Sequence, residues 1–417
     1  MRIAIIGSGI SGLACAYFLQ HHHDITIYEA NDYPGGHTHT HELTIAGKSL
    51  AVDSGFIVYN RINYPCFSRL LDRLGVESQP TSMSFSVRCD NSGLEYNGTS
   101  INGLFAQRRN LLRPAFYRMI LDILRFNRDS PRLLEGGNND QTLSEYVRDN
   151  SYSRYFEKYY LIPMCAALWS APPQVVAEFP IRFLVKFFQN HGMLAINDRP
   201  QWLVVSGGSQ NYVRALLRDF NDRVKLNTAI KRVERASDTV MLTDCRGNTH
   251  SHDQVIFACH SDQALQILAD ATPSERAILG AMPYQSNNAV MHTDARLLPR
   301  HRRAWASWNY HIPVMEPSRV AVTYYMNSLQ GLQSEEPICV TLNHTDTIAP
   351  DKVIKRLRYD HPLFTTGAVQ AQSRWTEISG RNRTHYCGAY WGNGFHEDGV
   401  QSAIAVSRAF GVEFAHA

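Results

Sequence analysis

Alternation of apolar and polar residues divides the first thirty residues of the chain into three short elements. The β-branched run at 2–6 predicts a buried parallel strand, and residues 13–20 predict a helix. A second strand is predicted at 24–28. The six residues that join the first strand to the helix are Gly7-Ser8-Gly9-Ile10-Ser11-Gly12. This order of elements predicts the first unit of a dinucleotide-binding fold.

The glycines of this turn have separate roles in binding a pyrophosphate. Gly7 permits the tight turn, Gly9 lets the backbone approach the phosphates, and Gly12 lets the helix pack closely on the strand. The free N–H groups at the helix N-terminus face the phosphates. A carboxylate after the second strand accepts ribose hydroxyls and repels the 2′-phosphate of NADP. We therefore expect the adenine half of a dinucleotide to contact Gly7, Gly9, Ile10, Ser11, Gly12, Glu29 and Ala30.

Later in the chain, the pattern predicts two excursions from this dinucleotide-binding unit. Residues 60–201 are mainly helical in pattern apart from a hairpin at 82–97, and residues 285–383 are richer in strands, at 304–308, 320–326 and 338–342. Between the excursions, the pattern predicts a helix at 212–220 and strands at 224–233 and 255–260. A glycine-rich loop at 387–399 then precedes a helix at 400–410.

This organisation predicts two domains. Residues 1–59, 202–284 and 384–417 form the cofactor domain, and residues 60–201 and 285–383 form a substrate domain with a helical cap and a mixed sheet.

The composition narrows the class of protein. The chain has 417 residues, of which 44% are hydrophobic and 19% are charged, as in ordinary globular proteins. Its net charge of +3 is too small to indicate a nucleic-acid partner. The eight cysteines include no CxxC pair and no zinc-ligand spacing, so we expect reduced thiols, no metal and a cytoplasmic location.

Three segments resemble the flavin amine oxidase and phytoene desaturase superfamily. The stretch 34–38 (PGGHT) resembles its second fingerprint, whose glycines pass beside the pyrophosphate, although the family usually has Arg where this chain has His37. The stretch 53–56 (DSGF) resembles the segment that runs under the flavin ring, and the loop at 387–399 resembles the one that faces the ribityl chain. The resemblance implies non-covalent FAD and an α/β, Rossmann-like, two-dinucleotide-binding-domain fold similar to monoamine oxidase.

The same resemblance implies a set of site residues. The further FAD contacts that it implies are Gly35, Gly36, His37, Thr38, Gly55, Phe56, Ile230, Gly388, Trp391, Gly392, Asp398, Gly399 and Val400. The substrate pocket that it implies contains Tyr59, Asn60, Trp202, Tyr324 and Trp391. The candidates for catalysis are His396 and Asn288, and a purely structural role for His396 is an equal alternative.

Segments outside the cofactor motifs resemble a narrower family. They are similar to bacterial predicted NAD/FAD-binding oxidoreductases and to the FAD-oxidase-like N-terminal region of plant cyclopropane fatty acid synthases. The segments that carry this resemblance are 60–65, 104–107, 161–170, 199–203, 324–330 and 340–343. The resemblance implies a lipid or fatty acyl substrate and a lipid methyltransferase that acts nearby.

Three functions follow from these observations. The leading hypothesis is dehydrogenation or desaturation of a methylated, cyclopropane or unsaturated acyl chain or phospholipid. The second is amine oxidation, although such enzymes usually carry a lysine on a substrate-domain strand and this chain has none between Lys231 and Lys352. The third is a non-catalytic FAD-containing partner of a lipid methyltransferase. An acyl substrate implies a long apolar cavity that opens toward residues 108–132.

The segment 104–134 is rich in arginine. Its arginines outnumber its acidic residues seven to two and are interleaved with large apolar residues. Such a pattern is typical of a basic amphipathic surface that contacts anionic lipid, which would make the protein peripheral at the inner membrane surface. The alternative is a solvated helix whose apolar side is buried in the core.

Overall fold

The structure, a computed structural model, describes residues 1–135, 141–195, 199–314 and 319–414. The strands in these ranges are β1 (Arg2–Ile6), β2 (Asp24–Tyr28), β3 (Thr40–Ile45), β4 (Lys48–Asp53), β5 (Val58–Tyr59), β6 (Ser78–Thr81), β7 (Phe85–Cys89), β8 (Leu94–Asn97), β9 (Trp202–Val205), β10 (Val224–Lys225), β11 (Ile230–Arg235), β12 (Val240–Asp244), β13 (Thr249–His252), β14 (Gln254–Phe257), β15 (Tyr284–His292), β16 (Trp308–Ile312), β17 (Val322–Tyr325), β18 (Cys339–Leu342), β19 (Val353–Pro362) and β20 (Thr384–Tyr386).

The helices in the same ranges are α1 (Ile10–Leu19), α2 (Pro65–Leu74), α3 (Ile101–Leu104), α4 (Pro114–Asp129), α5 (Leu143–Asp149), α6 (Arg154–Phe156), α7 (Ile162–Trp169), α8 (Pro173–Ala177), α9 (Ile181–Asn190), α10 (Gln210–Leu217), α11 (Ser261–Ile267), α12 (Pro273–Leu279), α13 (Met326–Gln330), α14 (Thr366–Gln372) and α15 (His396–Ala409). Within the described part of the chain, none of them combines the length and the apolar character that crossing a bilayer requires.

The first strand lies in the middle of a parallel sheet. Its five strands are ordered β10-β2-β1-β14-β20, and every pairing is parallel. Alternate side chains of β1 enter two different cores: Ile3 and Ile5 pack among the helices α1, α2, α10 and α15, whereas Ala4 and Ile6 pack against β11–β13. Because both faces of the sheet are covered, nearly all residues of β1 are apolar.

A seven-stranded mixed sheet forms the other main layer. Its order is β19-β15-β18-β17-β16-β7-β8, and only β16 and β7 pair in parallel. The hairpin predicted at 82–97 is confirmed as β7 and β8, so the two excursions of the chain share this sheet. The helices between α4 and α9 cover it through one large apolar cluster. The α/β class and the mixed, helix-covered sheet agree with the expectation from the sequence.

The structure corrects three predicted elements. The strand expected at 304–308 begins only at Trp308. The run at 224–233 divides into β10 and β11, which lie in different sheets, because the chain turns at Asn227, where φ is +51°. The last helix begins at His396 instead of 400, since the Asp398 carboxylate accepts a hydrogen bond from the Phe395 backbone N–H at 2.9 Å and caps that end.

A small sheet lies across the expected domain boundaries. Strand β9 pairs with both β5 and β6, so residues 202–205 of the expected cofactor domain bind directly to residues 78–81 of the expected substrate domain. The boundaries at 59/60, 201/202, 284/285 and 383/384 remain predictions.

A buried ion pair joins the antiparallel strands to the parallel sheet. The guanidinium of Arg235, the last residue of β11, makes two contacts with the carboxylate of Glu275 in α12, at 2.6 and 3.0 Å. Both side chains are almost fully buried. The hydroxyl of Tyr386 in β20 donates to the same carboxylate at 2.7 Å. One carboxylate therefore holds three elements together.

Replacing this carboxylate should destabilise the fold. We expect Glu275→Ala to lower the free energy of unfolding by about 3 kcal/mol, because it leaves the buried Arg235 guanidinium short of its main partner. Chemical denaturation measures the change. The control is Glu234→Ala, which breaks a 2.7 Å ion pair with Arg232 in which both side chains are more than half exposed. The control should cost far less, because water screens an exposed pair, and equal effects of the two variants would contradict the prediction.

Candidate cofactor and active site

The turn between β1 and α1 has room for a ligand on one side only. A Cβ atom at Gly12 would lie 2.0 Å from the Gly7 carbonyl oxygen, so no larger residue fits between strand and helix. A Cβ atom at Gly9 would meet nothing within 4 Å. The backbone at Gly9 is therefore open to a ligand, while that at Gly12 is closed by the protein itself.

The carboxylate of Glu29 is oriented by this turn. It accepts hydrogen bonds from the Ser8 backbone N–H at 2.9 Å and from the Ser8 hydroxyl at 2.5 Å. Its second oxygen accepts from the Asn31 backbone N–H at 2.8 Å. Ala30, the other predicted contact here, is exposed beside it. The carboxylate thus stands beside the glycine turn, as a ribose-binding acidic residue must.

Two later motifs pack on the first one. The backbone N–H of Gly35 donates to the Ser8 carbonyl at 3.0 Å, and a Cβ at Gly36 would lie 3.1 Å from the Gly9 Cα. A Cβ at Gly399, in the first turns of α15, would lie 2.8 Å from Ile10 Cγ2. The N-terminal ends of α1 and α15 therefore meet, and each presents unpaired N–H groups and a positive dipole end. Such an arrangement favours an anion.

Histidines that the sequence analysis did not select surround His37. Its ring lies 5.4 Å from that of His361 and 6.0 Å from that of His260, centre to centre, and 5.2 Å from the ring of Tyr359. Burial, together with the neighbouring imidazoles, lowers the pKa of His37 to about 4 and that of His361 to about 3. Both rings are therefore neutral at pH 7. The partners come from β19 and the start of α11, far away in the sequence, and no local pattern indicates them.

His396 lies inside a hydrogen-bonded group. Its Nε2 is 2.9 Å from the Tyr212 hydroxyl and 3.1 Å from the Thr38 hydroxyl, and Phe56 stacks on its ring at 3.5 Å. Burial lowers its pKa well below the usual value, with a smaller contribution from His37. The structure thus brings together His396, Thr38 and Phe56, three of the residues that the sequence analysis selected. It adds Tyr212, which was missed, and the catalytic role of His396 remains a prediction.

The structure corrects the position of the second catalytic candidate. Asn288 is exposed on β15, and its backbone N–H donates to the Asn343 side chain. The buried neighbour is Asn287, whose amide lies 3.0 Å from His361 Nδ1. Side chains alternate along a strand, so an error of one residue exchanges the two faces. Asn287 is therefore the asparagine in contact with the histidine group.

The aspartate of the 53–56 segment joins distant loops. Its carboxylate accepts from the Ser209 backbone and hydroxyl, from the Gln330 amide at 2.9 Å and from the Thr40 hydroxyl at 2.5 Å. Burial raises the pKa of Asp53 to about 6 against these hydrogen bonds. Gly55 follows directly, and a Cβ there would lie 2.0 Å from the His37 carbonyl oxygen. This segment therefore fixes the backbone next to His37.

The remaining predicted residues are spread over several clusters. Tyr59 and Trp202 lie at the small β5-β9-β6 sheet, and the Tyr59 hydroxyl lies 2.6 Å from that of Ser78. Asn60 is buried, and its side-chain nitrogen has no partner among the described residues. Tyr324 packs edge-on against Trp308 in the mixed sheet. Gly388, Trp391 and Gly392 lie in the C-terminal loop, and Asp398 and Val400 lie in α15. Ile230 belongs to the apolar cluster that Trp391 packs against.

Two cavities lie outside the arginine-rich segment 104–134. One of about 510 Å³ is lined by residues 48–51, Gln79, Val205 and the loops at 207–208 and 330–333. Another of about 490 Å³ lies between α2 and α10. Neither is lined by the arginines of 108–132, so neither is the acyl cavity that the sequence analysis expected.

Comparison with known proteins identifies the family. A model of the flavin containing amine oxidoreductases matches residues 10–409. The chain belongs to the flavin-containing amine oxidoreductase family. An L-amino-acid oxidase from Siganus canaliculatus is 24% identical over 70% of the chain. The chain spans 56% of the length of that oxidase, and 16% of that of a related tryptophan 2-monooxygenase from Allorhizobium ampelinum.

Solved structures share the fold of this chain over nearly its whole length. The CLA-producing fatty acid isomerase from P. acnes superposes with a TM-score of 0.67 at 17% identity and covers 98% of both chains. Cyclohexylamine oxidase from Brevibacterium oxydans IH-35A superposes with a TM-score of 0.67 at 15% identity. The match covers 98% of this chain and 99% of the oxidase. At these identities the likeness shows the fold alone.

Membership of the family implies FAD as the cofactor, and the described residues fit it. The space over Gly9, the two helix ends and the Glu29 carboxylate suit an adenine ribose and a pyrophosphate. His37 Nε2 is buried and has no partner among the described residues, so it is available to a ligand. FAD supplies a hydride acceptor when it is bound.

The FAD is expected to be held without a covalent link. Cys387, the cysteine nearest the C-terminal loop, is fully buried, and its Sγ lies 3.7 Å from that of Cys15 in α1. Burial and this neighbouring thiol raise its pKa, which keeps it from reacting as a thiolate.

Two glycine substitutions should separate folding from cofactor binding. We expect Gly9→Ala to leave the unfolding temperature of the apoprotein unchanged and to weaken FAD binding at least about tenfold, since the methyl group meets only the ligand. Gly12→Ala should prevent folding, because its methyl group meets the Gly7 carbonyl. Circular dichroism and flavin titration measure both effects. Normal FAD affinity in Gly9→Ala would show that the pyrophosphate binds elsewhere.

The buried histidines should make stability depend on pH. Their pKa values are lower in the folded chain than in the unfolded one, so the unfolded chain takes up more protons as the pH falls below about 6.5. Stability is then lost at about 1.4 kcal/mol per pH unit for each histidine between the two pKa values. Burial raises the pKa values of Asp53 and Asp398 to about 6, so these two groups bind more protons in the folded chain. They therefore add stability as the pH falls and oppose the effect of the histidines.

A variant isolates the contribution of one ring. Relative to the parent protein, His361→Gln should release about one proton fewer on folding between pH 6 and pH 4. Denaturation at a series of pH values gives this number. Identical pH profiles for the variant and the parent protein would mean that His361 is not held neutral.

Proposed function

We propose that this oxidoreductase dehydrogenates or desaturates a modified fatty acyl chain, free or in a phospholipid. The reaction removes a hydride, which FAD would accept when bound, and a proton, which is released to water, from neighbouring carbons, and it leaves a double bond between them. The observation that carries the proposal is an array of aromatic rings that begins at the cofactor loop. A hydrocarbon substrate needs a wall of this kind and few polar groups.

The array begins at Phe395, the residue before α15. Its ring stacks on Phe187 at 5.1 Å and lies 6.5 Å from Trp169. The ring of Trp169 lies 5.5 Å from that of Phe183, centre to centre, and Phe183 stacks on Phe364 at 5.0 Å. The indole N–H of Trp169 donates to the Asn393 carbonyl in the cofactor loop at 3.1 Å, which holds the rings against that loop. An acyl chain that reached the flavin from this side would meet apolar surface.

One polar ring packs on this array. His191 stacks on Phe187 at 3.8 Å, and burial lowers its pKa to about 4, so it carries no charge at pH 7. On β15, Asn287 and Ala289 are buried, and they pair with Tyr359 and Leu357 of β19. Amine oxidases of the resembling superfamily usually have a lysine on such a strand. These features favour a neutral substrate.

Two similarities support the same proposal. One of the proteins with this fold is named as a fatty acid isomerase. The resemblance of segments such as 104–107 and 161–170 to plant cyclopropane fatty acid synthases points to an acyl chain that a lipid methyltransferase has modified. We infer that such a methyltransferase acts before this enzyme.

Amine oxidation is the second candidate, and one observation favours it. Lys355 in β19 places its Nζ 3.1 Å from His41 Nδ1, and His41 Nε2 lies 2.8 Å from the Ser54 hydroxyl. That hydroxyl is 2.7 Å from the hydroxyl of Tyr359, beside His37. A lysine is thus connected to the cofactor side of the molecule. Several relatives are also named as oxidases of amines or amino acids.

Anaerobic mixing distinguishes the two candidates. The FAD-loaded protein is mixed with phospholipids that carry unsaturated, methyl-branched or cyclopropane acyl chains, and separately with primary and secondary amines. We expect the absorbance of the oxidised flavin to fade with at least one of the lipids and to persist with the amines. Fading with amines alone would overturn the proposal.

A matched pair of variants tests the aromatic array. Phe395→Gln should slow flavin reduction by the lipid about tenfold, since the ring loses apolar contact with the chain, and should leave FAD content unchanged. The control is Phe410→Gln, at the other end of the same helix, where the ring contacts His23 and His385. Equal rates in Phe395→Gln and the parent protein would remove the array from the substrate path.

A further inference from the structure

The arginine-rich segment and the short helix before it expose large apolar side chains. Leu112 is 87% exposed and Ile101 is 78% exposed. Leu111, Tyr117, Leu121 and Leu124 are exposed as well. We call these six residues and the arginines between them the 101–128 surface. Large apolar side chains stabilise a fold when they are buried. A group of them exposed together on the surface therefore indicates that a partner covers them.

The helix α4 has two distinct faces. Tyr117, Leu121 and Leu124 follow one another at the spacing of a helix face and point to solvent. Phe116, Met119 and Phe126 occupy the other face and are fully buried in the cluster under the mixed sheet. The core therefore accounts for five of the eight large apolar residues of α4, and the solvated-helix alternative leaves Tyr117, Leu121 and Leu124 unexplained.

Direct contacts make this surface continuous. The backbone N–H of Phe105 donates to the Ile101 carbonyl at 3.1 Å, and its ring lies 5.9 Å from that of Tyr117. The Tyr117 hydroxyl donates to the Leu111 carbonyl at 3.0 Å. The short helix α3, the 3-10 turn at Arg108–Leu112 and α4 are thus fixed to one another, and the exposed residues form one patch.

Positive charge surrounds the patch. Arg108 donates to the Phe105 carbonyl and to the Asn102 side chain, and Arg109 donates to the Gly93 carbonyl. These partners are neutral and leave the arginine charges uncompensated. Both acidic residues of α4 are already paired: Asp122 is buried and bonded by Arg118 and Arg125, and Asp129 is bonded by Arg128. The outer face therefore combines apolar side chains with a net positive charge.

We propose that the 101–128 surface docks on an anionic phospholipid bilayer. The apolar side chains enter the boundary between head groups and acyl chains, and the arginines contact lipid phosphates. A second copy of the chain fits less well, because a symmetric contact would bring the same arginines face to face. The proposal goes beyond the proposed reaction and does not rest on it, since docking requires no turnover.

Vesicle flotation with the FAD-loaded protein tests the docking. We expect binding to vesicles of phosphatidylcholine and phosphatidylglycerol, weaker binding to phosphatidylcholine alone, and release by salt. Leu112→Ser/Leu121→Ser should weaken binding about tenfold through lost apolar contact. Arg108→Ser/Arg109→Ser should weaken it by a similar factor and flatten its salt dependence. FAD content should be unchanged in both variants.

The control variant exchanges the same residue types elsewhere on the surface. Ile62→Ser/Arg246→Ser replaces an exposed isoleucine and an exposed arginine outside the patch and should bind vesicles like the parent protein. Equal loss in the control, or binding that ignores lipid charge, would overturn the proposal. So would a dimer in solution that Leu112→Ser/Leu121→Ser dissociates, because the patch would then cover a second copy. None of these outcomes depends on which substrate is oxidised.

Discussion

Contact between the N-terminal ends of α1 and α15 is the constraint on which the rest of the site depends. Gly399 lies so close to Ile10 that a side chain at this position would collide with it. The dipoles of two helix N-termini in contact repel each other unless negative charge lies nearby, and Asp398 in the first turn of α15 supplies part of it. A pyrophosphate bound at the same place would add to it, so the contact between the two helices also prepares the FAD site. Binding of FAD should therefore stabilise the fold.

The histidine rings near this contact are uncharged, whereas the buried carboxylates of Glu29 and Asp53 are held by hydrogen bonds. Burial keeps His37, His361 and His396 neutral, and hydrogen bonds to Tyr212 and Asn287 hold two of these rings in place. The rings of the aromatic array are uncharged as well. Arginines lie on the outer surface, among exposed leucines. Neutral rings inside and a basic, apolar surface outside agree with the proposed substrate, a hydrocarbon chain taken from a lipid phase.

The sequence predicted the parts of the structure that depend on local pattern. The first strand, its glycine turn, α1 and Glu29 follow from residues close to one another, and the structure contains them as expected. The histidine group could not be predicted, because His260 and His361 reach His37 only through the topology of the sheets. Asn288 was selected instead of Asn287 because the sequence does not show which face of β15 is buried. The run at 224–233 was divided by the positive φ at Asn227, for which the pattern has no signal.

The position of α15 has a consequence for how the chain acquires its cofactor during synthesis. Residues 2–12 and 384–409 build the same site, and nearly the whole chain lies between them. At the usual rate of translation, about 20–80 seconds separate the appearance of the two halves on the ribosome. For that time the parallel sheet lacks β20, and for much of it β1 also lacks its neighbour β14, so apolar edges stay open to other chains. Nascent chains should therefore depend on chaperones until the last helix is released, and added flavin cannot protect them earlier.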